Sequence, residues 1–203
     1  MVREPAQAVP AAIAQRLGNV RVLVVPYIAC QEAGDCVCRL KPQGETHTAA
    51  WVETRECISL ILPCRELDAH DTGFEFLASV GELLRPRLTR EELSRFSQLL
   101  EEEIHLGVPG EIDEEARAGK QAFLPGRLGR RHRAQFEPYR DTSFVSTVAE
   151  YMHGMWHDVQ IRVGPEHLPL PQLHARMRLM SEMFPPNPGY RVFAEELEKQ
   201  EEE

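Results

Sequence analysis

The 203-residue sequence has no apolar run approaching the roughly 20 residues that a membrane-spanning helix needs. Its opening, MVREPAQAVPAAIAQRLGNV, holds no continuous apolar stretch of the kind found in a secretory signal. Also missing are G-x-x-x-x-G-K-[ST], a G-x-G-x-x-G after a strand, and G-x-S-x-G. Nucleotide binding and serine hydrolase chemistry therefore have no support. There is no C-x-x-C pair, and the spacings among Cys30, Cys36, Cys38, Cys57 and Cys64 match no common zinc module. An odd number of cysteines in a chain without a signal reads as free thiols and a cytoplasmic location. Positive charge is scarce too: 23 Lys and Arg face 32 Asp and Glu, a net −9. That balance argues against general nucleic-acid binding, whose affinity comes from neutralising phosphates. With membrane and nucleic acid set aside, the expected partner is a protein, a peptide or a second copy of the chain.

A hydrophobic content of 42% suits a globular core. Residues 9–17 suit a short opening helix, and residues 20–28 (VRVLVVPYI) a strand buried on both faces, with Pro26 marking its exit or an edge. Residues 36–41, 47–54 and 57–62 read as further strands of a short antiparallel meander. Helices follow at 73–84, 90–105, 113–123, 142–160 and 169–183, with 125–140 an irregular basic loop. Thr89 and Glu92 form a capping box for the second of these. Strands first and helices afterwards indicate an α+β fold. Residues 1–184 are expected to form one domain, and 185–203 a Pro-rich break with an acidic tail.

Residues 74–84 read FEFLASVGELL. This stretch resembles the metal helix of zincin-type metallopeptidases, roughly F-x-x-A-H-E-L-G-H-x-L, of the small intracellular kind that accompanies phage-like repressors. In that family two His at i and i+4 bind zinc and the Glu is the general base. Aligned on Gly81, Ala78 takes the first His position, Ser79 the Glu and Glu82 the second His. The segment from Glu115 to Pro125, EARAGKQAFLP, is similar to the downstream helix that supplies an acidic ligand there. The resemblance covers residues 55–125. It implies a zincin-like fold without the catalytic ligands, a binding or regulatory role, no cofactor and no enzyme activity. It also implies that helix 74–84 lies along strand 57–62 and that Glu111 or Glu115 approaches Ser79 and Glu82. The alternative for the same residues is an ordinary amphipathic helix, with Gly81 serving close packing.

Glu150, His153 and His157 are the densest group of potential metal ligands, at helical spacing i, i+3, i+7. Phe144, Val148, Tyr151, Met152, Met155 and Val159 define the opposite, apolar side of that helix, so the three polar groups are expected on a solvated face. A metal-dependent hydrolase using Glu82, Glu115, Glu150, His153 and His157 with zinc or another divalent ion is the alternative function. A structural or interaction module without a small-molecule site is a third. Arg127, Arg130, Arg131 and Arg133, with His132 and Arg140, form the one cationic cluster, interleaved with Phe136 and Tyr139. It suits an anion or an acidic partner, or a solvated loop.

Overall fold

The computed structural model describes residues 1–30, 34–123, 133–157 and 162–193. Arg127, Arg130, Arg131, the Arg133 side chain and most of the acidic tail lie outside these residues. The order is α1 (Arg3–Ala8), α2 (Ala11–Leu17), β1 (Val20–Val25), β2 (Tyr27–Ala29), β3 (Cys36–Cys38), β4 (Ala50–Glu53) and β5 (Ile58–Pro63). Then come α3 (Ala69–Leu84), a 3-10 turn (Arg85–Arg87), α4 (Arg90–His105), α5 (Glu114–Gln121), α6 (Arg133–Trp156) and α7 (Leu170–Met183). The class is α+β, as the order of patterns implies. Among the described residues no helix is long and apolar enough to cross a membrane.

The strands do not form one antiparallel meander. β1 pairs in parallel with β5, which pairs antiparallel with β4, giving the order β1-β5-β4. β2 and β3 form a separate antiparallel pair that places Cys36 opposite Ala29 and Cys38 opposite Tyr27. Pro26 divides β1 from β2, because proline has no N–H for a ladder. β1 is an edge strand with Leu23 and Val24 exposed, so it is not buried on both faces; central β5 buries Ile58, Leu60 and Leu62. The parallel pairing is possible because the intervening β2–β4 excursion is long enough to act as a crossover.

The helices cover β5 and enclose the core. Thr89 caps α4 by accepting from the Glu92 N–H at 3.2 Å, and the Glu92 carboxylate accepts from the Thr89 N–H at 2.8 Å. Glu92 also accepts two bonds from Arg16 on α2, at 2.6 and 2.7 Å. These bonds to Arg16, against the opposing effect of burial, hold its carboxyl at about 2. Beyond α7 the described residues touch the core at a few points. Phe184 and Val192 are buried, and the Asn187 amide joins α1 to α2 by accepting from the Ala11 N–H and donating to the Val9 carbonyl.

Helix α6 begins well before the expected 142, running through Pro138 and absorbing part of the expected basic loop. It is the central helix, packed by α1, α3, α4, α5 and α7. Phe144, Val148, Tyr151 and Met152 are buried as expected, while Val159 lies outside the described residues. The face expected to be wet is buried as well: Glu150 is 9% exposed and His153 3%. Only His157, just past the helix end, is exposed. Ser143, Ser146, Thr147 and Ala149 are all buried, and their small volume lets neighbours close on this second face.

Two glycines set the approach of α3 to α6. A Cβ on Gly81 would stand 2.8 Å from a Val148 methyl and 3.1 Å from the Val145 carbonyl oxygen. One on Gly73 would stand 2.3 Å from the Trp156 ring. Gly81 is thus the close-packing residue expected of it. Gly81→Ala gains about 1 kcal/mol of helix propensity but overpacks at a cost of about 1–3 kcal/mol. Urea unfolding should show a net loss, larger for Gly81→Val, and a neutral or stabilised Gly81→Ala would contradict this packing.

Candidate functional site

The cleft is built around a buried charge network. Arg176 on α7 is fully buried and donates to both oxygens of Glu103 on α4, at 2.9 and 2.6 Å. It also donates to both oxygens of Glu111, at 2.7 Å each, and to the Ser143 hydroxyl at 2.8 Å. Lys120 on α5, equally buried, lies 3.3 Å from Glu111 and 3.5 Å from Glu103, and donates to the Gly110 carbonyl at 3.0 Å. The Tyr139 hydroxyl donates to Glu111 at 2.5 Å. Two carboxylates thus meet two cations inside the fold, and such charges are tolerated only when paired and hydrogen-bonded. Burial pushes the Glu111 carboxyl up, but the Arg176 and Lys120 charges and the Tyr139 hydroxyl outweigh it and hold it at about 2. Burial and the adjacent Glu111 charge raise the Tyr139 hydroxyl well above its ordinary value.

This network fixes the connection between α4 and α5. The Glu111 N–H donates to the Glu166 carbonyl and its own carbonyl accepts from the Leu168 N–H, both at 3.1 Å, joining residues 111 and 167 in a short parallel bridge. Gly110 makes the turn at φ +70°, where a Cβ would stand 2.0 Å from the His167 carbonyl oxygen. Asp113 then caps α5, its carboxylate accepting from the Ala116 N–H at 2.7 Å.

Between α3, the turn into α5, α6 and the segment before α7 lies a cleft of about 360 Å³. Ala78 and Glu82 line it from α3, Asp113, Glu114 and Glu115 from the α5 start, and Glu150 from α6. Phe74, Val145, Ala149, Leu168 and Leu173 supply apolar surface, and Arg162 and His167 its basic groups. The cleft is therefore amphipathic and predominantly acidic. Glu114 is held by Arg117, which also keeps its carboxyl below the ordinary range.

Of the positions aligned with the zincin metal helix, Ala78, Glu82 and Glu115 face this one cleft. Helix α3 also packs on β5. Ser79 does not join them: it is buried and its hydroxyl donates to the Glu75 carbonyl at 2.8 Å, one turn back. A zinc ion held as in the zincin metal helix is not supported by the aligned residues, since Ala78 offers no donor, Ser79 is turned into its own helix, and of these positions only Glu82 and Glu115 offer oxygen.

Glu150, His153 and His157 do not converge as a solvated triad. His153 turns into the α3–α6 contact, where its Nε2 lies 3.1 Å from the Nε2 of His70 in the first turn of α3. His70 escaped the sequence reading because it is 83 residues away; only the α3–α6 contact joins it to the H-x-x-x-H pair. Phe136 and Tyr139, read with the basic cluster, are core residues, and Arg140 of that cluster bonds Asp141 at 2.7 and 2.9 Å. The cysteines carry free thiols, with Cys36 and Cys38 in Sγ–Sγ contact at 3.5 Å. Compared with protein-family models, curated proteins and solved structures, the chain matches none.

Arg176→Met should destabilise the protein by about 3–5 kcal/mol, because it leaves Glu103 and Glu111 buried with Lys120 alone. Lysine should not rescue it, lacking the planar fork that serves two carboxylates. In acid, the contribution of Glu111 is fully present above the ordinary carboxylate value of 4.5 and is lost as pH falls toward about 2. Chemical denaturation from pH 7 to pH 2 should show stability falling within that window, with a smaller fall in Glu111→Gln.

Proposed function

We propose that this chain is a non-catalytic binding protein of zincin-like layout whose cleft takes a cationic, partly apolar peptide segment of a partner, in a regulatory role. The observation that carries this reading is that Ala78, Glu82 and Glu115, from segments about 30 residues apart, line one cleft. An apolar floor with carboxylates around it suits a ligand that offers aliphatic side chains and positive charge together. The same positions lack what zinc-dependent hydrolysis requires: a nitrogen ligand at 78 and a carboxylate base at 79. Glu82 and Glu115 are free of the buried network, so they can meet a ligand's charge without unfolding the site.

The reading is tested with a labelled ten-residue peptide alternating Leu and Lys, and its Leu/Glu counterpart, by fluorescence anisotropy. The cationic peptide should bind at least about tenfold more tightly, and the difference should shrink in 0.5 M salt as surface charges are screened. Replacing Glu82 and Glu115 together by Gln should remove about tenfold of that affinity, roughly 1.4 kcal/mol. Equal affinity for both peptides, or cleavage of the peptide that Glu82→Gln abolishes, would overturn it.

A further inference from the structure

The geometry points to a transition-metal site between the ends of α3 and α6, held by His70, His153 and His157. It is separate from the zincin-aligned positions and goes beyond the binding role proposed for the cleft. His70 stands in the first turn of α3; His153 and His157 stand one turn apart at the end of α6, linked by the His157 N–H donating to the His153 carbonyl at 2.7 Å. Gly73 admits the Trp156 ring between these helix ends, which fixes the separation of the two backbones before any ion arrives.

One nitrogen–nitrogen distance and the ring separations suit one ion once His157 turns, although the three side chains as they stand do not bring three nitrogens within 4.8 Å of one another. The Nε2 atoms of His70 and His153 are 3.1 Å apart. Two nitrogens at 2.0–2.1 Å from a tetrahedral ion lie about 3.3 Å apart, so an ion can replace the shared proton with a shift of tenths of an ångström. The ring centroids of His70 lie 5.2 Å from those of both His153 and His157, and the last two are 5.7 Å apart. Three imidazoles on a tetrahedral ion have centroids about 5.2 Å apart by the same geometry. Rotation of the exposed His157 side chain supplies the third nitrogen.

The surroundings aim the rings. Asp71 lies 3.5 Å from His70 Nδ1, and Glu150 lies 3.9 Å from His153 Nδ1. Each ring thus has a carboxylate near its Nδ1, not yet at hydrogen-bond distance for His153, and its Nε2 turned toward the other ring. Glu150, a candidate ligand in the sequence, takes the supporting place and His70 the ligand place. The His153 ring is 3% exposed, and its Nδ1 has no hydrogen-bond partner. Three nitrogen donors favour zinc, cobalt, nickel or copper over magnesium or calcium.

The test uses full-length protein without an affinity tag, stripped with chelator and titrated with Co²⁺ and then Zn²⁺. One equivalent of Co²⁺ should bind with visible d–d absorption, Zn²⁺ should displace it, and the melting temperature should rise with added Zn²⁺. His70→Ala and His157→Ala should each weaken Co²⁺ binding at least tenfold, and in each the rise in melting temperature on adding Zn²⁺ should be lost, whatever the variant's own metal-free melting temperature. His105→Ala, on exposed α4 surface, should change nothing. Absence of binding at 100 µM Co²⁺ would overturn the site. So would binding that survives in the His70→Ala/His157→Ala double variant, which would place the ion elsewhere, as at Cys30, Asp35 and His47.

Discussion

The Arg176 guanidinium is the constraint on which the functional half of the molecule rests. It is fully buried and spans Glu103 on α4 and Glu111 in the turn before α5, with Lys120 and Tyr139 closing the group. Removing these charges from water costs several kcal/mol per ion, offset only while every partner is present. Four helices and one turn are therefore positioned together or not at all. Glu111 is the link that matters for the cleft. Its side chain is locked in the network and its backbone is bridged to residue 167, so residues 112–115 emerge at a fixed height opposite Ala78 and Glu82. A surface loop could carry the same acids, but it would not hold them against α3.

The second constraint is steric. Gly81 and Gly73, two helical turns apart on α3, let α6 approach to a distance that any side chain would prevent. The Gly81 contact lies beside the cleft, which Ala78 and Glu82 line from α3 and Val145 from α6. At the other end of the same interface, the Gly73–Trp156 contact brings His70 against His153 and His157. Phe74 links the two regions, lining the cleft and meeting the His153 ring edge-on at a centroid distance of 5.4 Å. Cleft and histidine cluster are thus neighbouring consequences of one helix crossing, so a change at either glycine is felt in both.

Much of the local architecture was legible because its causes are local. Thr89 and Glu92 specify a capping box, Pro26 the break in the first strand, and Gly81 a close approach. Sequential order alone was enough for the α+β class. The alignment of Ala78, Glu82 and Glu115 identified three residues that one cleft does bring together. Ser79 departed from it because a serine in a helix bonds its own preceding turn when it has nothing else to bind.

What sequence by itself determined is therefore the order of strands before helices, the capping box at Thr89 and Glu92, and the absence of the usual metal ligands at 78 and 79. Tertiary structure decided which faces are inside. Helix α6 carries enough polar residues to read as half-exposed, yet it is surrounded by other helices, so Glu150 and His153 are buried. β1 looks like a buried strand and lies at an edge. Arg176, Glu103 and Glu111 carry charges yet are buried together, Glu111 in this network rather than beside Ser79 and Glu82. Periodicity reports a side chain's direction around its own axis, and burial depends on what other elements lie in that direction. Arg176 lies 65 and 73 residues from Glu111 and Glu103, and His153 83 residues from His70, separations that no local pattern encodes.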